Sequence, residues 1–202
     1  ITNVLLSGGD PFVLPTAMIE SLLTRLDTIE HLRFIRFGTR IPVVLPERIL
    51  EDDELTALLR RYSRKDRRVY VVTQFNHPRE ITGQAEGAID RLLSSGTVVN
   101  NQTVLLRGVN DDPDVLAELE SALAGIGVTP YYVFQCRPVK RVQAGFQVPL
   151  RRGYRIVEEA RFVDPKAYEA YFSDFARAYR ANLEAAEDDG EIRAGDCEIR
   201  AW

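Results

Sequence analysis

The stretch VLLSGGDPFVLPTAMIESLLTRLDTI, residues 4–29, holds the unit from which the rest of the chain is built. A short apolar run, Val4 to Leu6, stops at the polar turn Ser7-Gly8-Gly9-Asp10. Met18, Leu22, Leu23, Leu26 and Ile29 then recur at helical spacing. Four more apolar runs follow: Phe34 to Phe37, Val69 to Thr73, Val98 to Leu106 with a polar interruption, and Tyr131 to Phe134. Between them, Leu55, Leu58, Leu59 and Tyr62, then Ile89, Leu92 and Leu93, then Val115, Leu116, Leu119, Leu123 and Ile126 mark helices. Thr82 and Asp112-Pro113 predict helix starts, and Gly96 and Gly127 predict helix ends. The runs read as apolar on both faces, the pattern of buried parallel strands. Strand and helix in alternation imply right-handed crossovers and a parallel sheet, open or curled into a barrel; periodicity does not choose between them.

With 202 residues and 45% apolar side chains, the chain can bury one sizeable core, and a single domain is the default. A formal charge of −4, with basic residues scattered among acids, provides no basic face, so nucleic acid is not an expected partner. No apolar run has the length of a membrane span, and the first residues do not make a signal peptide, so the expected location is the cytoplasm. Cys136 and Cys197 are too far apart in sequence for a metal knuckle and fit no disulfide framework; both read as buried or incidental thiols. The chain opens inside an apolar run without a methionine, which predicts a parent protein extending further toward the N-terminus. After Gly153 the character changes. Asp164-Pro165 is a helix start, and Tyr168, Tyr171, Phe172, Phe175, Tyr179 and Leu183 form an aromatic stripe, core-facing or at a dimer contact. The repeat within residues 191–200 predicts a short terminal hairpin. The expected division is therefore a core over residues 1–160 and a helix-and-hairpin extension over residues 161–202.

In parallel α/β folds ligands bind beyond the carboxyl ends of the strands, so the residues that end each run carry the functional reading. They are Ser7-Gly8-Gly9-Asp10, Gly38-Thr39-Arg40, Gln74-Phe75-Asn76-His77, Asn101-Gln102 and Gln135-Cys136-Arg137. Each has a plainer alternative. Asp10 can cap the next helix, Arg40 can pair with an acid such as Glu47, and His77 before Pro78 can be a hydrogen-bonded turn residue. Gln102 is harder to dismiss, because an amide in an apolar strand needs a ligand or a polar neighbour.

The ordered set of these segments, LLSGGD at residues 5–10, RFGTRIPVVLPERI at 36–49, FNHPREIT at 75–82, NQTVLLRGVND at 101–111 and PYYVFQC at 130–136, resembles lysine 2,3-aminomutase and its relatives over about three quarters of the chain. That family consists of radical S-adenosylmethionine enzymes on a partial parallel (β/α) barrel. The resemblance therefore implies an α/β fold with such a barrel, incomplete at its N-terminus. It also implies an isomerase that moves an amino group on a small amino acid. Carried over, Ser7, Gly8, Gly9 and Asp10 look like the segment receiving the methionyl amino group of S-adenosylmethionine, Gln102 looks like the ribose contact, and Arg40, Gln74 and Asn76 join the cofactor-binding set. Gln74 stands where the family often has a histidine.

Three departures bear on mechanism. The family's cysteine loop for a four-iron (4Fe-4S) cluster lies upstream of Ser-Gly-Gly-Asp and has no counterpart here, so the resemblance assigns the cluster to the parent protein and no metal ligand to this chain. Lys65, Lys140 and Lys166 have no glycine-rich flanks, which leaves pyridoxal phosphate without a lysine of the family's type. Arg137 stands where lysine-acting members place an aspartate, which makes it a substrate-binding candidate for a carboxylate, as in glutamate, rather than an ammonium. Two other readings stay open: a radical enzyme of the same barrel without pyridoxal phosphate, and a degenerate, non-catalytic binding module.

Overall fold

β-branched and aromatic side chains dominate the apolar runs and favour extended backbone. In the computed structural model, which describes residues 1–137 and 143–163, every run becomes a strand. These are β1 (Asn3–Leu6), β2 (Phe34–Gly38), β3 (Arg68–Thr73), β4 (Val98–Leu105) and β5 (Thr129–Gln135). They form one sheet in sequential order, all parallel. The register pairs Leu6 with Phe37, Gly38 with Val72 and Thr73 with Asn101, so the carboxyl ends of the first four strands meet at one rim. Between Asn101 and Gln102 the pairing with β5 shifts by one residue.

Helices fill the crossovers, α1 (Thr16–Asp27), α2 (Ile41–Val44), α3 (Glu47–Leu50), α4 (Asp53–Tyr62), α5 (Gly83–Ser94) and α6 (Pro113–Gly125), and α7 (Gln143–Phe146) and α8 (Leu150–Val163) follow β5. Thr82 caps α5 by accepting the Ala85 amide at 3.2 Å, and Asp112 caps α6 through the Asp114 amide at 2.9 Å, as their sequence positions predict. Sequential order with right-handed crossovers places the helices on one face of the sheet, and a sheet covered on one face curls toward a barrel. Packing agrees. Ile35, Phe37, Val69, Val71 and Val99 are buried with Ile19 and Leu23 of α1, Leu55 and Leu58 of α4 and Ile89 of α5. Leu105 and Val133 are buried with Leu116 of α6 and Ile156 of α8. Each large side chain so buried contributes about 1.5–3 kcal/mol.

Among the described residues the other face of the sheet is left partly exposed, which corrects the expectation of strands buried on both sides. Leu5 is 47% exposed and Phe34 41%, and β4 alternates residue by residue between half-buried and buried positions. Short apolar runs conceal this difference, because Leu5 and Phe34 are as apolar as their buried neighbours. A second correction is α8, a helix that runs through Gly153, where the sequence reading placed no element. The helix expected from Asp164-Pro165 and the terminal hairpin lie outside the described residues. Among the described residues no helix is long and apolar enough to cross a membrane.

Candidate functional site

The turn after β1 is shaped by two glycines with positive φ, 95° at Gly8 and 109° at Gly9. A Cβ would meet no atom within 4 Å at either position, so the requirement is backbone conformation rather than space. Asp10 then caps the 3-10 turn Pro11–Val13, its Oδ1 accepting from the Phe12 amide at 3.0 Å. The same carboxylate reaches the end of β2, where Oδ1 accepts from the Thr39 hydroxyl at 2.6 Å and Oδ2 from the Arg40 amide at 2.6 Å. Asp10 therefore joins two strand ends through one carboxylate.

From Arg40 the polar chain continues. Arg40 Nη2 donates to Glu80 Oε1 at 2.6 Å, and Glu80 Oε2 accepts from the Asn76 amide at 2.6 Å. The suggested Glu47 partner is thus corrected to Glu80, forty positions away, which β2–β3 pairing brings close. Asn76, buried behind the rim, accepts from the Val104 amide with its Oδ1 at 2.8 Å, and its carbonyl accepts from Asn110 Nδ2 at 2.8 Å. Asn110 is fully buried and also bonds the Val104 carbonyl and the Leu106 amide. An unbroken series of hydrogen bonds therefore ties the carboxyl ends of β1, β2, β3 and β4.

Asn101 and Gln102 divide two tasks. Asn101 is buried and satisfied, accepting from Thr73 Oγ1 at 2.9 Å and the Phe75 amide at 2.7 Å and donating to the Phe75 carbonyl at 3.0 Å and Thr103 Oγ1 at 2.9 Å. Gln102 points to the opposite, open face and makes no side-chain hydrogen bond among the described residues.

These groups border an open pocket of about 330 Å³. Gly9 and Asp10 line it from β1, Gly38, Thr39 and Arg40 from β2, Val72, Thr73 and Gln74 from β3, and Gln102 from β4. Of the cofactor candidates, Gly9, Asp10, Arg40, Gln74 and Gln102 meet there, Ser7 and Gly8 belong to the adjoining turn, and Asn76 braces the wall from behind. Among the described residues the side-chain amides of Gln74 and Gln102 make no hydrogen bond, and the Arg40 guanidinium, its Nε buried, is part-exposed at the pocket wall. Those donors and acceptors suit a polar small molecule that carries an anionic group and hydroxyls.

His77 takes its plainer role, its Nδ1 accepting from the Arg79 amide at 3.1 Å in the turn after β3. Beyond β5, Gln135 donates to the Val148 carbonyl, Cys136 is buried, and Arg137 is exposed at the end of the strand. Burial pushes the Cys136 thiol above its ordinary pKa, which makes it a poor nucleophile. Among the described residues no group of three His, Cys, Asp or Glu side chains is placed to hold a metal ion. Sequence reasoning missed Glu80 and Asn110; their signal lies in the segments FNHPREIT and RGVND, whose polar residues passed for turn and cap chemistry.

No protein-family model matches the chain. It is 47% identical over 161 residues to a putative L-lysine 2,3-aminomutase of Aquifex aeolicus, covering 80% of this chain and 42% of that protein. It is 41% identical to the L-lysine 2,3-aminomutase of Methanococcus maripaludis over 78% of this chain and 35% of that one. It is 38% identical to the glutamate 2,3-aminomutase of Clostridioides difficile over 80% of this chain and 36% of that one. The chain thus spans less than half the length of the curated relatives it matches. Among solved structures, native anSMEcpe with bound AdoMet and the Kp18Cys peptide superposes with a TM-score of 0.59 at 11% identity, over 88% of this chain and 48% of that one, a likeness of fold.

Proposed function

Over the part it shares with these relatives the chain belongs to the lysine 2,3-aminomutase family, and from that premise we propose that its pocket binds S-adenosylmethionine in a radical enzyme that moves an amino group on an amino acid. The observation that carries this reading is the convergence of Gly9, Arg40, Gln74 and Gln102, drawn from four strand ends, on one open pocket, with the amides of Gln74 and Gln102 making no hydrogen bond among the described residues. Gln102 would hold the ribose hydroxyls, the Gly8-Gly9 backbone the methionyl amino group, and Arg40 the carboxylate. Asp10, bonded to three of its own neighbours, shapes the turn that presents the glycines. When bound, S-adenosylmethionine supplies the hydrogen-atom abstraction that starts such a rearrangement. A four-iron cluster does not fit this chain's own residues: its two cysteines, one buried at Cys136, make no ligand set, so the cluster of the whole protein would take its thiolates elsewhere.

Titration calorimetry of the intact protein with S-adenosylmethionine tests this reading. Gln102→Ala removes two neutral hydrogen bonds and should weaken binding about tenfold or more with no change in melting temperature. No binding by the wild type, or equal binding by the variant, rules the reading out.

For the substrate, an acidic amino acid is supported by Arg137, exposed on the rim beyond β5, and by the presence of a glutamate 2,3-aminomutase among the relatives. Faster turnover of lysine than of glutamate by the intact protein would reject it. A reaction without pyridoxal phosphate is the second reading. Lys65, the lysine among the described residues, lies just before β3, at the pole opposite the pocket, while Lys140 and Lys166 lie outside the described residues.

A further inference from the structure

Glu80 lies in a turn and contacts the pocket only through another residue, yet both its carboxylate oxygens are used by separate strand ends. Oε1 accepts from Arg40 Nη2 and Oε2 from the Asn76 amide, each at 2.6 Å. The pair is partly shielded from water, with the side chain of Arg40 37% exposed and that of Glu80 24%. A guanidinium carries five N–H donors in one rigid plane, so anchoring one nitrogen fixes the direction of the rest. The charge of Glu80 is met by Arg40 and by a backbone N–H, which reduces its repulsion of a second anion. Arg40 is held at its other end too, where Asp10 accepts its amide; its Nε is buried, so the donors left for the pocket are those of the part-exposed outer nitrogens.

We propose that Glu80 is a positioning residue, holding the Arg40 guanidinium at the pocket wall so that its remaining donors receive the carboxylate of the methionyl group of S-adenosylmethionine. The inference rests on the reading of the pocket given above.

Calorimetry of the intact protein with S-adenosylmethionine and with its decarboxylated analogue separates the two. The wild type should prefer the carboxylate-bearing ligand. Glu80→Gln, of the same shape, should weaken S-adenosylmethionine about tenfold and leave the analogue unchanged, as expected for losing a charge-assisted contact. Arg40→Ala should level the two ligands, and adding Glu80→Gln to it should change nothing further. Equal weakening of both ligands by Glu80→Gln, or no weakening of either, overturns the positioning role while the pocket assignment stands. A wild type that binds neither ligand overturns the pocket assignment itself.

Discussion

Asp10 accepts the backbone amide of Arg40 at 2.6 Å, so the turn after β1 and the turn after β2 are fixed to one another through a single carboxylate. The Thr39 hydroxyl and the Phe12 amide share its other oxygen, so three of the carboxylate's acceptor sites serve the rim itself. Asp10→Asn replaces one acceptor with a donor facing the Arg40 N–H. The variant should lose about 1–3 kcal/mol of stability, seen as a lower urea midpoint with an unchanged slope. An unaltered midpoint would mean the carboxylate does not brace the rim.

Gly9→Ala tests the neighbouring turn. At φ 109° an L residue is strained although nothing obstructs the new methyl group, so the expected cost is about 1–2 kcal/mol, with weaker ligand binding as the turn relaxes. Thermal unfolding and calorimetry together read both effects; a variant as stable and as competent as wild type would refute the conformational requirement.

Adjacent amides in β4 should behave oppositely. Asn101→Ala strips four buried hydrogen bonds and should destabilise by about 2–4 kcal/mol. Gln102→Ala should leave stability within about 0.5 kcal/mol of wild type, because it contacts no described polar group. Matching losses in chemical denaturation would contradict this division.

Asp52 supplies a pH signature. Burial raises its pKa, but the Thr16 hydroxyl, the Leu55 amide and Arg48 outweigh burial and hold it below the ordinary 3.8. A depressed carboxyl contributes stability that is complete above the unfolded value and is lost as pH falls through the folded one. The stability gap between wild type and Asp52→Asn should therefore be constant from about pH 5 to 8 and shrink below about pH 4. Urea titrations across that range measure it, and a gap that widens in acid would invert the assignment.

Much of this was legible in the residues. Alternating apolar runs and helical stripes place all five strands, and the polar residues after them point to the rim on which Gly9, Arg40, Gln74 and Gln102 meet. What was not legible depends on distance along the chain. Arg40 pairs with Glu80 rather than the nearer Glu47 because strand pairing, invisible to local pattern, decides which acid is close. The open face was missed for a related reason: hydrophobicity alone does not reveal that Leu5 and Phe34 face away from the helices. Arg67, nearly fully buried at the far pole, likewise reads as one more surface cation, yet it bonds the Leu32 carbonyl at 3.1 Å and Asp27 at 2.6 Å.

A crystal structure of the intact protein with S-adenosylmethionine examines the assignment at its root. The ribose should lie against Gln102 and the methionyl carboxylate against Arg40, inside the pocket bordered by Gly9 and Gln74. A ligand bound elsewhere, with Gln102 and Arg40 left untouched, would contradict it.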